Sequence, residues 1–197
     1  MNVSFRILIG SVLALFVGCA TIHPYEGASA KAAKDFKQVS LPFRAGTSFT
    51  VSQGAFGLTS HHEPGNAFSW DFDVPYGTDV LAVEAGRVIE VWAPNQGGGC
   101  DINLSHYAHN IKVEAVDGTV AQYVHVKARV REGEKVRAGQ VIAQTALNGH
   151  ICTPQLHFGV YRSRYHLYEA IGRETVPLRF QGISGGLAKE GQQYRVP

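Results

Sequence analysis

The chain lacks most of the features by which common ligand classes announce themselves. It has three cysteines in 197 residues and no Cys-x-x-Cys spacing, which excludes the close-paired thiolate sites of zinc fingers and ribbons. Its 18 basic and 16 acidic residues nearly cancel. A net charge of +2, spread evenly, gives no electrostatic footprint for nucleic acid or for an anionic membrane surface. Nothing specifies a dinucleotide loop, a Walker loop or a serine nucleophile elbow. No internal repeat of solenoid or propeller length is present. Long apolar runs are also missing, except for Ile7–Val17, which is too short to cross a bilayer as a permanent helix.

That one run, preceded by Arg6, suits the h-region of a secretory signal. Phe16-Val17-Gly18-Cys19 resembles a bacterial lipobox, in which small residues precede a cysteine that is lipidated and becomes the new N-terminus. The expected organisation is a signal peptide over residues 1–19, an Ala- and Lys-rich tether over 20–38 and one domain over 39–197. Several acyl chains anchor stably where a single chain holds only marginally. The expected location is therefore the bacterial cell envelope, membrane-anchored through Cys19, at the periplasmic face of the outer membrane. Cys100 and Cys152 then lie in an oxidising compartment, and a disulfide between them is expected. Closing that loop stabilises the fold by about 4 kcal/mol on the chain-entropy account.

From Val39 onward, short β-branched and aromatic runs are punctuated by Gly, Asn and Asp, the pattern of an all-β domain. Strands are expected at Ser48–Val51, Ser69–Phe72, Asp79–Ala82, Gly86–Val91, Asn110–Glu114, Val120–His125, Val141–Thr145 and Leu156–Tyr161. Asp117-Gly118 predicts a type I′ hairpin that pairs Asn110–Glu114 with Val120–His125. Gly133–Ile142 is similar to the turn of lipoyl and biotinyl carrier domains, but no lysine sits at an exposed hairpin tip, so a carrier role is discounted. Phe68, Trp70, Phe72 and Tyr76 are either core or groove lining, and strand spacing favours core.

The chemistry-bearing stretch is Gln155-Leu156-His157-Phe158. In a strand, residues two apart project from one face, so a His-x-His pair can ligate a metal with one imidazole and act on substrate with the other. Here the first position is glutamine. Read with Asp71-Phe72-Asp73, Tyr76-Gly77-Thr78, Gly86-Arg87-Val88, Asp117-Gly118-Thr119, Tyr123-Val124-His125 and Gly139-Gln140, in that order, the stretch resembles the lysostaphin/LytM-type zinc metallopeptidases, which cut peptide bridges of peptidoglycan. The resemblance runs from about Leu41 to the C-terminus. It looks closest to a branch with a Gln-Gly turn and an upstream Ser-His, matched by Ser52-Gln53-Gly54 and Ser60-His61-His62.

What the resemblance implies is an antiparallel β-sheet domain holding zinc through a histidine, an aspartate and the second histidine of His-x-His, with a further position open to water. Asp71 and His157 match two of these ligands. The usual first ligand falls at Ala67, which cannot bind metal. His62, nine residues before Asp71, is taken as the third ligand, with His61 as the substitute. His125 matches a histidine expected to hydrogen-bond the attacking water or the oxyanion. Gln155 can orient water but cannot accept its proton, and losing a general base costs about two to four orders of magnitude in rate. His150, just before the strand, is the alternative base.

Two functions fit these residues. The first is an exported zinc endopeptidase acting on peptidoglycan cross-links, weakened by Gln155. The second is an inactive envelope module that binds peptidoglycan or regulates a cell-wall hydrolase partner. Ala67 and Gln155 favour the second reading, family resemblance the first.

Overall fold

The alternation of apolar and polar residues that predicts strands also decides which face each strand buries. In a computed structural model, which describes residues 36–62, 65–94, 97–163 and 175–197, the strands in chain order are β1 (Lys37–Val39), β2 (Ser48–Gln53), β3 (Ser69–Asp73), β4 (Asp79–Leu81) and β5 (Gly86–Trp92). They continue with β6 (Gly98–Gly99), β7 (Asn110–Ala115), β8 (Val120–Val124), β9 (Val126–Ala128) and β10 (Lys135–Val136). The last are β11 (Val141–Thr145), β12 (Gly149–His150), β13 (Gln155–Tyr161), β14 (Leu178–Phe180) and β15 (Gln193–Arg195). All eight strands expected from sequence are present, to within two residues at either end. The signal segment, the lipobox cysteine Cys19 and nearly all of the tether lie outside the described residues. Strand β1 takes in Lys37 and Gln38, which the sequence reading assigns to the tether.

The main sheet has eight strands in the order β10-β5-β7-β8-β13-β3-β2-β15, and its pairings are antiparallel. A second sheet, β4-β11-β9, is also antiparallel. Two short pairs, β1 with β14 and β6 with β12, are parallel. The fold is all-β, as expected. Between the layers, Trp70, Phe72, Phe158, Leu156, Val51 and Tyr123 present one face of β2, β3, β8 and β13 to a core completed by Phe43, Phe49 and Phe180. Edge-on ring contacts of 5.2 Å between Phe49 and Phe72 and 5.0 Å between Trp70 and Phe180 contribute about 0.5–1.5 kcal/mol each beyond burial. Trp70 and Phe72 are thus core, whereas Tyr76 is exposed.

The β7–β8 hairpin pairs Glu114 with Val120, but its turn is not type I′. Asp117 does not take the positive φ that type I′ requires, and only Gly118 does, at 83°. The Gly118 amide donates to the Ala115 carbonyl and the Ala115 amide to the Thr119 carbonyl, the pattern of a type I turn followed by a left-handed glycine. Asp117 instead accepts from the Thr119 amide and hydroxyl and from Lys37 Nζ. The Gly182–Gly186 stretch spells Gly-x-Ser-x-Gly, yet exposed Ser184 opens a single 3-10 turn with no α-helix after it.

Candidate active site

Register alone brings three polar side chains into one row across the main sheet. Gln53 of β2 pairs with Asp71 of β3, and Asp71 pairs with His157 of β13. Cross-strand partners share a face, so all three project away from the aromatic core. The row exists because β2 carries a bulge. Val51 pairs with Phe72 and Gln53 with Asp71, leaving Ser52 as the extra residue. A bulge re-aims the side chain that follows it, and here it turns Gln53 toward Asp71. Gln155, two residues before His157, lies on the same face opposite Asp73.

The second ring at this point is His61, not His62. His61 is fully buried, whereas His62 is exposed. The turn after Gly54 folds back on β2, so the His61 Nδ1–H donates to the Gly54 carbonyl at 2.8 Å. That bond leaves Nε2 as a bare lone pair, 3.3 Å from His157 Nδ1 and 3.5 Å from Asp71 Oδ1. His157 Nδ1 lies 2.8 Å from the same Asp71 oxygen. His62 as the third ligand is therefore corrected. Spacing from Asp71 selects the wrong neighbour because a turn, not a strand, delivers the ring. The signal that could have found His61 is the Ser-His pair itself, since Ser60 is fixed by Gln53.

The donor set fits a zinc ion on its chemistry. A tetrahedron of donors ~2.05 Å from a metal has edges of about 3.3 Å. The two contacts made by His61 Nε2 are already near that length. A carbonyl holding the far ring nitrogen is also the usual way a ligand imidazole is oriented. Burial would raise the Asp71 carboxyl, but the His157 and His61 rings beside it, His157 first, outweigh that and hold the group well below the usual carboxylate range.

His125 stands at the junction where the chain leaves the main sheet after β8 and enters the second sheet as β9. It has φ of 62°, a left-handed conformation costing a non-glycine residue about 1–2 kcal/mol. Its Nδ1–H donates to the Asn148 carbonyl at 2.9 Å, so Nε2 is unprotonated. Burial pushes the ring down to about 4, so it is neutral at neutral pH. Asn148 is held in turn, accepting from the His109 amide and donating to the Val126 carbonyl.

These side chains face an open groove of about 570 Å³. Asp71, His157, Gln155 and His125 lie along it, and His150, Ile151, Cys152 and Ile102 form a wall. That wall is tied by the Cys100–Cys152 disulfide and by the β6–β12 pairing, in the place the sequence reading expects. Ala67 contributes only its carbonyl, which accepts from the Phe56 amide.

A largely buried His/Asp/His group on the groove face of an antiparallel sheet is the donor arrangement of a metallopeptidase-type scaffold. Residues 66–168 match Peptidase family M23, just over half of the chain, and the chain belongs to this family. The match takes in Asp71, His125, Gln155 and His157 but begins after His61. The chain is 38% identical over 96 residues to glycyl-glycine endopeptidase ALE-1 of Staphylococcus capitis, covering 48% of this chain and 24% of that protein. It is 34% identical over 96 residues to lysostaphin of Staphylococcus simulans, covering 48% of this chain and 18% of the other. The chain thus spans about a quarter or less of these curated relatives. The solved structure of lysostaphin from Staphylococcus simulans aligns with a TM-score of 0.46 and 28% identity, over 57% of this chain and 42% of that one.

Proposed function

We propose that this protein is an exported, zinc-dependent endopeptidase that cuts peptide cross-links of peptidoglycan with a modified proton-transfer apparatus. The observation that carries the reading is the convergence of His61 Nε2, Asp71 Oδ1 and His157 Nδ1 within 3.5 Å of one another on the groove face. The substrate class follows from membership of Peptidase family M23 and from the named activity of ALE-1. Zinc on these donors would polarise the scissile carbonyl and acidify the attacking water.

The remaining chemistry falls to the chain's own side chains. His125, its Nδ1–H committed to Asn148, presents Nε2 as an acceptor only. This suits it to taking the proton of the attacking water rather than to donating to an oxyanion in the first step. Water oxygen bonds to the carbonyl carbon, the C–N bond breaks, and the imidazolium returns the proton to the departing amine. Gln155, beside His157 on the same face, orients water through its amide without accepting a proton. A base held near 4 and an amide in place of the second imidazole give slow turnover.

The second reading, an inactive module that binds peptidoglycan or regulates a cell-wall hydrolase, draws its support from Gln155. Zinc content of the protein separates the two. One zinc per chain with release of amino groups from purified peptidoglycan is expected, and a folded, metal-free protein without hydrolysis would establish the binder. Membrane attachment through Cys19 at the outer membrane is part of the proposal. Cys19→Ala should move the protein to the aqueous phase in detergent partition, and unchanged partition would refute the anchor.

A further inference from the structure

Gln53 is a buried amide in which every hydrogen-bonding position is used. The residue is 6% exposed. Nε2 donates to Asp71 Oδ2 at 2.8 Å and to Ser60 Oγ at 2.9 Å. Oε1 accepts from the Thr59 amide at 2.9 Å and the Ser60 amide at 3.0 Å. The orientation is fixed by chemistry, since a carboxylate accepts and backbone amides donate. The glycine at 57 is part of the arrangement, because a Cβ there would collide with the Gln53 side chain.

The two oxygens of Asp71 therefore have different neighbours. Oδ1 faces His61 and His157, and Oδ2 is taken by Gln53. One amide also pins the two residues that precede His61. We propose that Gln53 is a positioning residue for the metal centre, holding Asp71 to one-oxygen ligation and setting the His61 turn against it. This rests on the metal-binding reading of His61, Asp71 and His157. Carboxylates bind metals through one oxygen or two, and a second oxygen engaged by a strong donor is not free to swing in.

Gln53→Glu separates the two tasks, because it keeps an acceptor for the Thr59 and Ser60 amides but removes the donor to Asp71. Gln53→Met removes both. The expected result in the full chain is one zinc bound by the parent and affinity at least about tenfold weaker in each variant, by competition with a chromophoric chelator. With cobalt in place of zinc, the visible band of a four-coordinate site should weaken toward that of a five-coordinate one in Gln53→Glu. In the parent, the Gln53 side-chain amide resonances should shift when zinc is added, a readout that needs no variant. Unchanged amide resonances, or folded variants with parental affinity and cobalt spectrum, would overturn the inference. Weakened affinity with an unchanged spectrum would overturn the ligation claim. A parent that binds no zinc would instead refute the proposed function.

Discussion

Acidifying the metal-free protein should expose the cost of keeping His125 neutral. Burial holds this ring at about 4 in the folded state, against about 6.5 in an unfolded chain. The folded value is depressed, so the contribution is fully present above about pH 6.5 and is lost as pH falls toward 4. Between those limits the unfolded chain binds the extra proton. A difference of 2.5 pH units at 1.36 kcal/mol each gives about 3 kcal/mol in all, of which about 2 is lost between pH 6.5 and 4.5, because each ring is only partly protonated near its own end of that window. Asp71 is depressed below the usual carboxylate range, so its own loss falls below about pH 4 and outside that window. The comparison variant is His125→Asn, because asparagine tolerates the φ of 62° and cannot titrate. Urea unfolding of both proteins in chelator, at half-unit steps from pH 7.5 to 4.5, gives the difference directly. The parent should lose about 2–3 kcal/mol more than the variant. Parallel curves would refute the placement of a buried, neutral imidazole at this junction.

Zinc binding should be abolished in His61→Ala and unaffected in His62→Ala, as measured by equilibrium dialysis. Gln155→His should leave zinc bound and raise peptidoglycan cleavage by at least about tenfold, part of a general base's usual contribution, in a release assay for free amino groups. Replacing Cys100 and Cys152 together with serine should lower stability by about 4 kcal/mol in denaturant unfolding, because the bond closes a loop across 52 residues, while far-UV spectra remain parental.

The strands were legible because alternation reports burial directly. Ser69–Asp73 and Gln155–Tyr161 carry their aromatic and aliphatic residues inward, and this also placed Asp71 and His157 on the opposite face. The shortest strands were not legible. Gly98–Gly99, Lys135–Val136 and Gly149–His150 have two residues each, too few to show a period. Choosing between His61 and His62 was beyond a spacing argument, since the Gly54 carbonyl that orients the ring comes from seven residues earlier. Gln53 was visible only as part of a Gln-Gly turn, because its importance depends on a bulge at Ser52 that leaves no periodic trace. The hairpin was foreseen at Asp117-Gly118, but its turn type was decided by the side-chain bonds that hold Asp117.

The donors differ in how they are carried. Asp71 and His157 sit on central strands whose removal would destroy the core, whereas His61 arrives on a surface turn that the family match does not include. An edit confined to that turn would remove the His61 ring and leave the disulfide-tied wall and the packing of Trp70, Phe72 and Phe158 intact. If the proposed metal centre holds, hydrolase and passive binder on this scaffold are one short loop apart.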